Sequence, residues 1–210
     1  MSTPQNFQRE PNHILPDITV AGNIEIYENV WKNSAQTISE IERVCGDPES
    51  GINWTKATIL GEGVNASLRS NWDMSISYYG KHTGHPLMKF LHNSMNELII
   101  DTATGYCSRQ GITEDFWQEG YNVLKYRSGE HYGQHYDSGT YAGRHISIIL
   151  YLNDDYEGGE IEFPPFGFKI KPKAGMMLMF PSNFAYRHIA HPVISGTKYA
   201  VVTWLHDRPI

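Results

Sequence analysis

The sequence predicts an α+β chain, mainly β, in which a double-stranded β-helix (jelly-roll) core follows a set of supporting N-terminal helices. Three observations carry that reading. From about Gly120 onward, short runs rich in Val, Ile, Tyr and Phe are separated by Gly, Pro, Asn and Asp at intervals that suit antiparallel strands. Upstream, apolar residues recur at helical spacing in two stretches. The 210 residues are enough for one substantial core and would crowd two, so 1–210 is expected to be a single domain. Within it, 1–118 carries an N-terminal strand and helices, and 119–210 forms the jelly-roll core.

Taken in order, the polar opening through His13 reads as a flexible arm, and 24–27 as a short strand. Ser34 is placed to cap a helix in which Ile38, Ile41 and Val44 fall at helical spacing; Gly46 and Pro48 stop it. A second helix runs from Pro86 to about Ala103, with Leu87, Phe90, Leu91, Met95, Leu98 and Ile99 as its apolar stripe. Both stripes are read as core packing. Strands are expected at 121–126, 133–137, 145–152, 160–163, 168–171, 176–180, 186–190 and 198–206. Short strands in that number suggest two facing sheets that can close around a small ligand at the mouth.

Charge narrows the function classes. With 17 Lys and Arg against 23 Asp and Glu the net charge is -6, and the basic residues do not cluster, so no nucleic acid partner is expected. Cys45 and Cys107 fall in no paired pattern, which argues against a disulfide framework and for a reducing, cytoplasmic setting. No basic start followed by an apolar run marks a secretory signal, and no apolar run approaches the roughly 20 residues that span a bilayer, so no membrane association is expected. The oligomeric state has no signature in the sequence.

The chemistry-bearing pattern begins at His135-Tyr136-Asp137. Two residues apart on an extended chain, an imidazole and a carboxylate leave the same face and can share an ion. Alone the triplet is weak, because ten histidines produce such pairs by chance. A third ligand is offered by His188 or His191, which lie three apart and cannot both enter one site from a strand. Two imidazoles and one carboxylate on one face of an octahedral ion leave adjacent positions open, as non-haem Fe(II) oxygenases require; zinc more often keeps one. Lys198 lies just beyond, after a turn at 194–196 that is expected to bring it back beside the strand carrying His188. It shares a face with Ala200, Val202 and Trp204, and a lysine buried there needs an anion, which a metal-chelating dicarboxylate would supply.

The ordered set Tyr126, Gly129, Tyr132, His135, Asp137, Arg144, Tyr151-Leu152-Asn153-Asp154, Gly158-Gly159, Phe163-Pro164, His188, Pro192-Val193, Gly196, Lys198 and Trp204 resembles the prolyl 4-hydroxylase branch of the Fe(II)/2-oxoglutarate-dependent dioxygenases. The resemblance implies His135, Asp137 and His188 as iron ligands and Lys198 as partner of the 2-oxoglutarate C5 carboxylate. It implies Tyr126 and Tyr151 as lining of the co-substrate pocket and Trp204 as a wall near the iron. It further implies Fe(II), 2-oxoglutarate and O2 as the reacting set, ascorbate as a candidate reductant, and hydroxylation of a prolyl residue in a peptide or protein, with release of succinate and CO2. An Arg69-Ser70 pair resembles one that precedes the core in such hydroxylases, and the 54–72 segment is by analogy a substrate loop. Arg69 and Trp72 in that segment, and Arg144 in the core, are the candidate substrate contacts.

Other residues are set aside. His131 is in phase with His135 but separated from it by Gly133. His191 has no family role, and the acidic run at 154–162 lacks a regular calcium loop, reading instead as a hairpin turn. Ser147 is expected to hydrogen-bond in the co-substrate pocket. Competing functions are hydroxylation of another small substrate such as a free amino acid, nucleic-acid demethylation, and a non-catalytic metal- or sugar-binding jelly roll; the last has no need of Lys198.

Overall fold

The computed structural model describes residues 14–59, 63–139 and 143–207. The arm expected before Ile14 lies outside these. In chain order the elements are β1 (Ile18–Val20), β2 (Ile24–Tyr27), α1 (Ser34–Cys45), β3 (Thr55–Lys56), β4 (Trp72–Ser75), α2 (Ile76–Lys81), α3 (Pro86–Gln110), β5 (Trp117–Gln118), β6 (Asn122–Arg127), β7 (Tyr132–His135), β8 (Arg144–Tyr151), β9 (Glu157–Gly158), β10 (Ile161–Phe163), β11 (Phe168–Ile170), β12 (Met177–Pro181), β13 (His188–Ala190), β14 (Val193–Ser195) and β15 (Thr197–His206).

Two antiparallel sheets face one another as a jelly roll. The larger runs β1-β2-β12-β8-β15-β6-β4-β3, with β5 on the end of β15; the smaller runs β11-β10-β13-β7. Side-chain alternation sorts each strand of the larger sheet between two environments. Along β12, Met177 and Met179 pack on the helices, while Leu178 and Phe180 enter the space between the sheets. Along β15, Tyr199, Val201 and Leu205 face the helices, leaving Lys198, Ala200, Val202 and Trp204 on the inner side. Burial on both faces explains why these strands read as nearly continuous apolar runs. Each such side chain stabilises the fold by about 1.5–3 kcal/mol relative to exposure.

The helices cover the outer face. α3 begins with Pro86 at its first turn, where a missing N–H costs nothing. It buries Met88, Leu91, Met95 and Ile99 and continues past the expected end near Ala103 to Gln110, where Gly111 in the left-handed region caps it. The sequence pattern fades there because Thr102, Ala103, Thr104 and Gly105 are buried as small residues rather than as an apolar stripe. In α1, Ser34 is the first helical residue and not the cap. Asn33 holds the cap position, and the Ser34 hydroxyl donates to the Trp31 carbonyl at 2.8 Å. Among the described residues no helix is long and apolar enough to cross a membrane.

Three further departures from expectation bear on the site. The short strands β3 and β4 lie inside or at the end of the 54–72 segment, which is thus partly sheet. β7 stops at His135, so Asp137 sits in a bend beyond the strand, with its N–H donating to the Ser182 carbonyl at 3.1 Å. β13 and β15 belong to opposite sheets, because the intervening β14 pairs with β9 and carries the chain across; Lys198 therefore faces the ligand strand instead of lying beside it.

Candidate metal centre and its cavity

His135 and His188 are cross-strand partners on β7 and β13, which places their rings 4.2 Å apart between centroids. The bend after β7 swings Asp137 back toward them, with Oδ1 3.6 Å from His135 Nε2 and Oδ2 3.9 Å from His188 Nε2. One donor atom from each residue lies within 4.8 Å of the others. Both Nδ1 atoms face backbone carbonyls, Gly133 at 2.8 Å and Tyr186 at 3.1 Å. A carbonyl only accepts, so Nδ1 carries the proton and the Nε2 lone pairs point into the site.

The electrostatics suit a cation. Burial, with His188 beside it, pushes His135 below the usual imidazole range and keeps it neutral, as a metal ligand must be. Burial acts to raise Asp137, yet His188, His135 and hydrogen bonds from Ser147 and Trp204 outweigh it and hold the carboxyl below its usual range. Ser147 donates to Asp137 Oδ2 at 2.6 Å and lies 2.7 Å from the Ser182 hydroxyl. Ser147 therefore serves the ligand carboxylate, where the sequence reading put it in the co-substrate pocket. Two N donors and one O donor with apolar Phe163 and Phe180 rings against His188 fit a divalent transition ion with open positions.

His135, Asp137 and His188 line a cavity of about 640 Å³ between the sheets. Lys198 lies in its wall, 2% exposed, with the ammonium donating to the Gly159 carbonyl at 2.7 Å and the Tyr126 and Tyr151 rings 5.3 and 5.2 Å away. Among the described residues no carboxylate pairs with it. Burial pushes it down to about 7, with Lys171 adding and Glu160 opposing. A buried cation lacking an anion, in the same cavity as a metal-ligand triad, fits a dicarboxylate that bridges the two. Burial raises the Tyr126 and Tyr151 phenols, keeping both as neutral hydrogen-bond donors.

Trp204 lines the cavity and hydrogen-bonds Asp137. The Arg144 guanidinium stacks 3.5 Å over the Trp204 ring, and its Nε donates to Glu119 at 2.6 Å. Arg69 also lines the cavity, lies 4.9 Å over the Tyr132 ring and donates to the Thr58 carbonyl at 2.8 Å. Trp72 is elsewhere, between Lys56 and Arg127 and donating to Glu130; its register opposite Lys125 turns it to the other face of β4. His131 meets Ser70, and His191 pairs with Glu162 at 2.6 Å, so neither joins the triad. Sequence reasoning missed Ser182 and Asp73, and it named Tyr132 in the motif without a role; the Tyr132 ring stacks on His135 at 3.5 Å. No local pattern in the sequence marks Asp73, whose face is set by the pairing of β4 with β6.

Residues 121–206 match the sequence model of the 2OG-Fe(II) oxygenase superfamily. Over 119 residues the chain is 32% identical to "Probable prolyl 4-hydroxylase 9" of Arabidopsis thaliana, covering 43% of this chain and 41% of that one. Over 76 residues it is 39% identical to human "Prolyl 3-hydroxylase 2", covering 34% of this chain and 11% of that one. The matched segment thus spans less than half the length of these curated relatives. Among solved structures, a prolyl hydroxylase from Trichoplax adhaerens in complex with a hypoxia inducible factor oxygen degradation domain peptide fragment superposes with a TM-score of 0.70 at 21% identity, covering 89% of this chain and 84% of that one. A Pseudomonas putida prolyl-4-hydroxylase gives 0.66 at 18% identity, covering 89% and 94%. These structural likenesses show the jelly-roll fold.

Proposed function

We propose, since residues 121–206 match the sequence model of the 2OG-Fe(II) oxygenase superfamily, that the chain is an Fe(II)- and 2-oxoglutarate-dependent dioxygenase that hydroxylates prolyl residues in a peptide or protein. One observation supports this most: the His135, Asp137 and His188 donor group and the buried Lys198, which has no carboxylate partner among the described residues, line one cavity. In this reading the whole chain works as one unit, with 1–118 supporting the catalytic core in 119–210.

Each residue has a task. His135, Asp137 and His188 hold the metal, with Ser147 and Trp204 fixing the Asp137 carboxylate. Lys198 neutralises the far carboxylate of 2-oxoglutarate, and Tyr126 and Tyr151 wall that end. Fe(II), when bound, supplies the dioxygen chemistry that couples decarboxylation of 2-oxoglutarate, to succinate and CO2, with hydroxylation of a C–H bond. Arg69 and Arg144, at the cavity wall, are the proposed substrate contacts, and ascorbate is the proposed reductant. A cytoplasmic location is proposed on the strength of the unpaired Cys45 and Cys107.

The test is anaerobic titration of the iron-loaded protein with 2-oxoglutarate, read by the visible charge-transfer band of a chelated keto acid. Aerobic assay of proline-containing peptides, by succinate release and peptide mass, then follows. A band lost in Lys198→Ala with iron retained, and a peptide gaining one oxygen, are expected. A folded, iron-loaded protein that gives neither band nor succinate overturns the proposal.

A further inference from the structure

We propose that Asp73 makes the cavity selective for a substrate that carries a positive charge beside the reacting residue, a refinement that rests on the dioxygenase reading above. Asp73 pairs with Leu124 across β4 and β6, and Leu124 pairs with Ala200 on β15, which pairs with Tyr151 on β8. Cross-strand partners share a face. Asp73 therefore stands in the same row as the cavity-lining Leu124, Ala200 and Tyr151, two strand spacings or roughly 10 Å from Ala200. That row leads from the co-substrate end of the cavity to the open edge of the sheet.

Among the described residues that line the cavity, Asp73 is the one carboxylate besides Asp137. The Thr55 hydroxyl donates to its Oδ1 at 2.8 Å. Among the described residues, no Lys, Arg or His nitrogen comes within ion-pair distance of Asp73, and the one side-chain donor to its carboxylate is Thr55, at Oδ1, which leaves Oδ2 open. The two arginines of the cavity do not neutralise it. Arg144 is paired with Glu119 and stacked on Trp204. Arg69 is tied to Thr58, Asn71 and the Tyr132 ring, on the segment that joins the edge of the opposite sheet at Tyr132. The wall carrying Asp73 thus presents a half-buried carboxylate with no ion-pair partner among the described residues to whatever enters from that side. In a low-dielectric cleft such a charge discriminates between partners more than it adds affinity. A lysine or arginine side chain flanking the reacting residue satisfies Oδ2, and an acidic one is repelled.

The experiment uses proline-containing peptides that are identical except for one Lys, Gln or Glu moved through the positions flanking the proline. Binding by fluorescence anisotropy and succinate release are both read, on the wild type, Asp73→Asn, Asp73→Lys and Asp101→Asn. Asp101, exposed on α3, controls for net charge. At the best position, wild type is expected to favour the Lys peptide over the Glu peptide by about tenfold. Asp73→Asn removes most of that preference, Asp73→Lys reverses it, and Asp101→Asn leaves it unchanged. A 2-oxoglutarate titration on each variant confirms an intact site. Equal treatment of the three peptides by wild type, or a preference that survives in Asp73→Asn, overturns the inference. Should no peptide be turned over, the prolyl reading fails while the anisotropy arm still decides the role of Asp73.

Discussion

The Lys198 ammonium lies 2.7 Å from the Gly159 carbonyl, and that contact exists because residue 159 has no side chain. Gly159 holds a left-handed backbone, φ +66°, and a Cβ built on it would stand 2.8 Å from Tyr156 Cε2 and 3.3 Å from Lys198 Cδ. Gly159→Ala must therefore bear the backbone strain and displace either the Tyr156 ring or the lysine stem. We expect a loss of about 2–3 kcal/mol in stability by denaturant unfolding, and weaker 2-oxoglutarate binding in anaerobic titration. Unchanged stability and affinity together would show that the Lys198 cradle is looser than these contacts require.

The same lysine predicts a pH dependence. Burial, with Lys171 adding, pushes Lys198 down to about 7, so above that pH the lysine of the ligand-free protein is neutral. A carboxylate binds the protonated form, and its charge raises the lysine again; binding above pH 7 must therefore take up a proton. The dissociation constant of 2-oxoglutarate should rise with pH above about 7, with a slope approaching tenfold per unit, and flatten below it. Lys198→Ala should bind weakly and lose the slope. Isothermal titration in buffers of differing ionisation enthalpy reads both the affinity and the proton uptake.

Ser147 offers a separate handle on the metal. Its hydroxyl donates to Asp137 Oδ2 at 2.6 Å from a buried position on β8. Ser147→Ala leaves the three ligands in place but frees the carboxylate to rotate. Outer hydrogen-bond partners of ligands typically contribute about 10–100-fold in metal affinity, and a loss in that range is expected in competition titrations with a chelator. A Ser147→Ala protein that binds iron as tightly as wild type would show that Trp204 and Ser182 suffice to hold Asp137.

How much of this the sequence disclosed follows from how local each signal is. His135, His188 and Lys198 were legible because strand alternation and the ordered motif place them, and the inner face of β15 came out as expected. Asp137 reached the site by another route, since the chain bends after His135 and the side chains converge across a turn. The crossing from β13 to β15 was misplaced because the two-residue β9 and three-residue β14 are too short to show a period. Ser147 was placed on the correct face by alternation with Tyr151, and only its partner, the Asp137 carboxylate, was not foreseen. Asp73 was obscure for a different reason. A single polar residue on a strand says nothing about which face it occupies until the pairing is known, and the pairing of β4 with β6 is a long-range fact.

One buried charge, Glu25, is hidden altogether by the sequence pattern. Glu25 lies in β2 between Ile24 and Ile26, and alternation turns it to the helix side, where it is 1% exposed. Its carboxylate is satisfied by Arg109 Nη2 at 2.7 Å and Nε at 3.1 Å, by the Tyr27 hydroxyl and by Gln110, all at the C-terminal end of α3 or on β2 itself. Arg109→Leu leaves the buried carboxylate without its counter-charge. Removing one partner of a buried pair costs about 3–5 kcal/mol; because the arginine side chain is itself 27% exposed, solvent screens part of this and the lower end is expected. For a domain of this size that corresponds to a fall in Tm of about 6–12 °C. The Glu25→Leu, Arg109→Leu double variant should recover much of the loss, since it removes the stranded charge. The pair lies on the outer face of the larger sheet, away from the cavity, so 2-oxoglutarate and metal affinities should stay unchanged in both variants. A single variant that unfolds at the wild-type temperature would mean that Tyr27 and Gln110 alone can hold Glu25, and that α3 is fixed to β2 by apolar packing rather than by this ion pair.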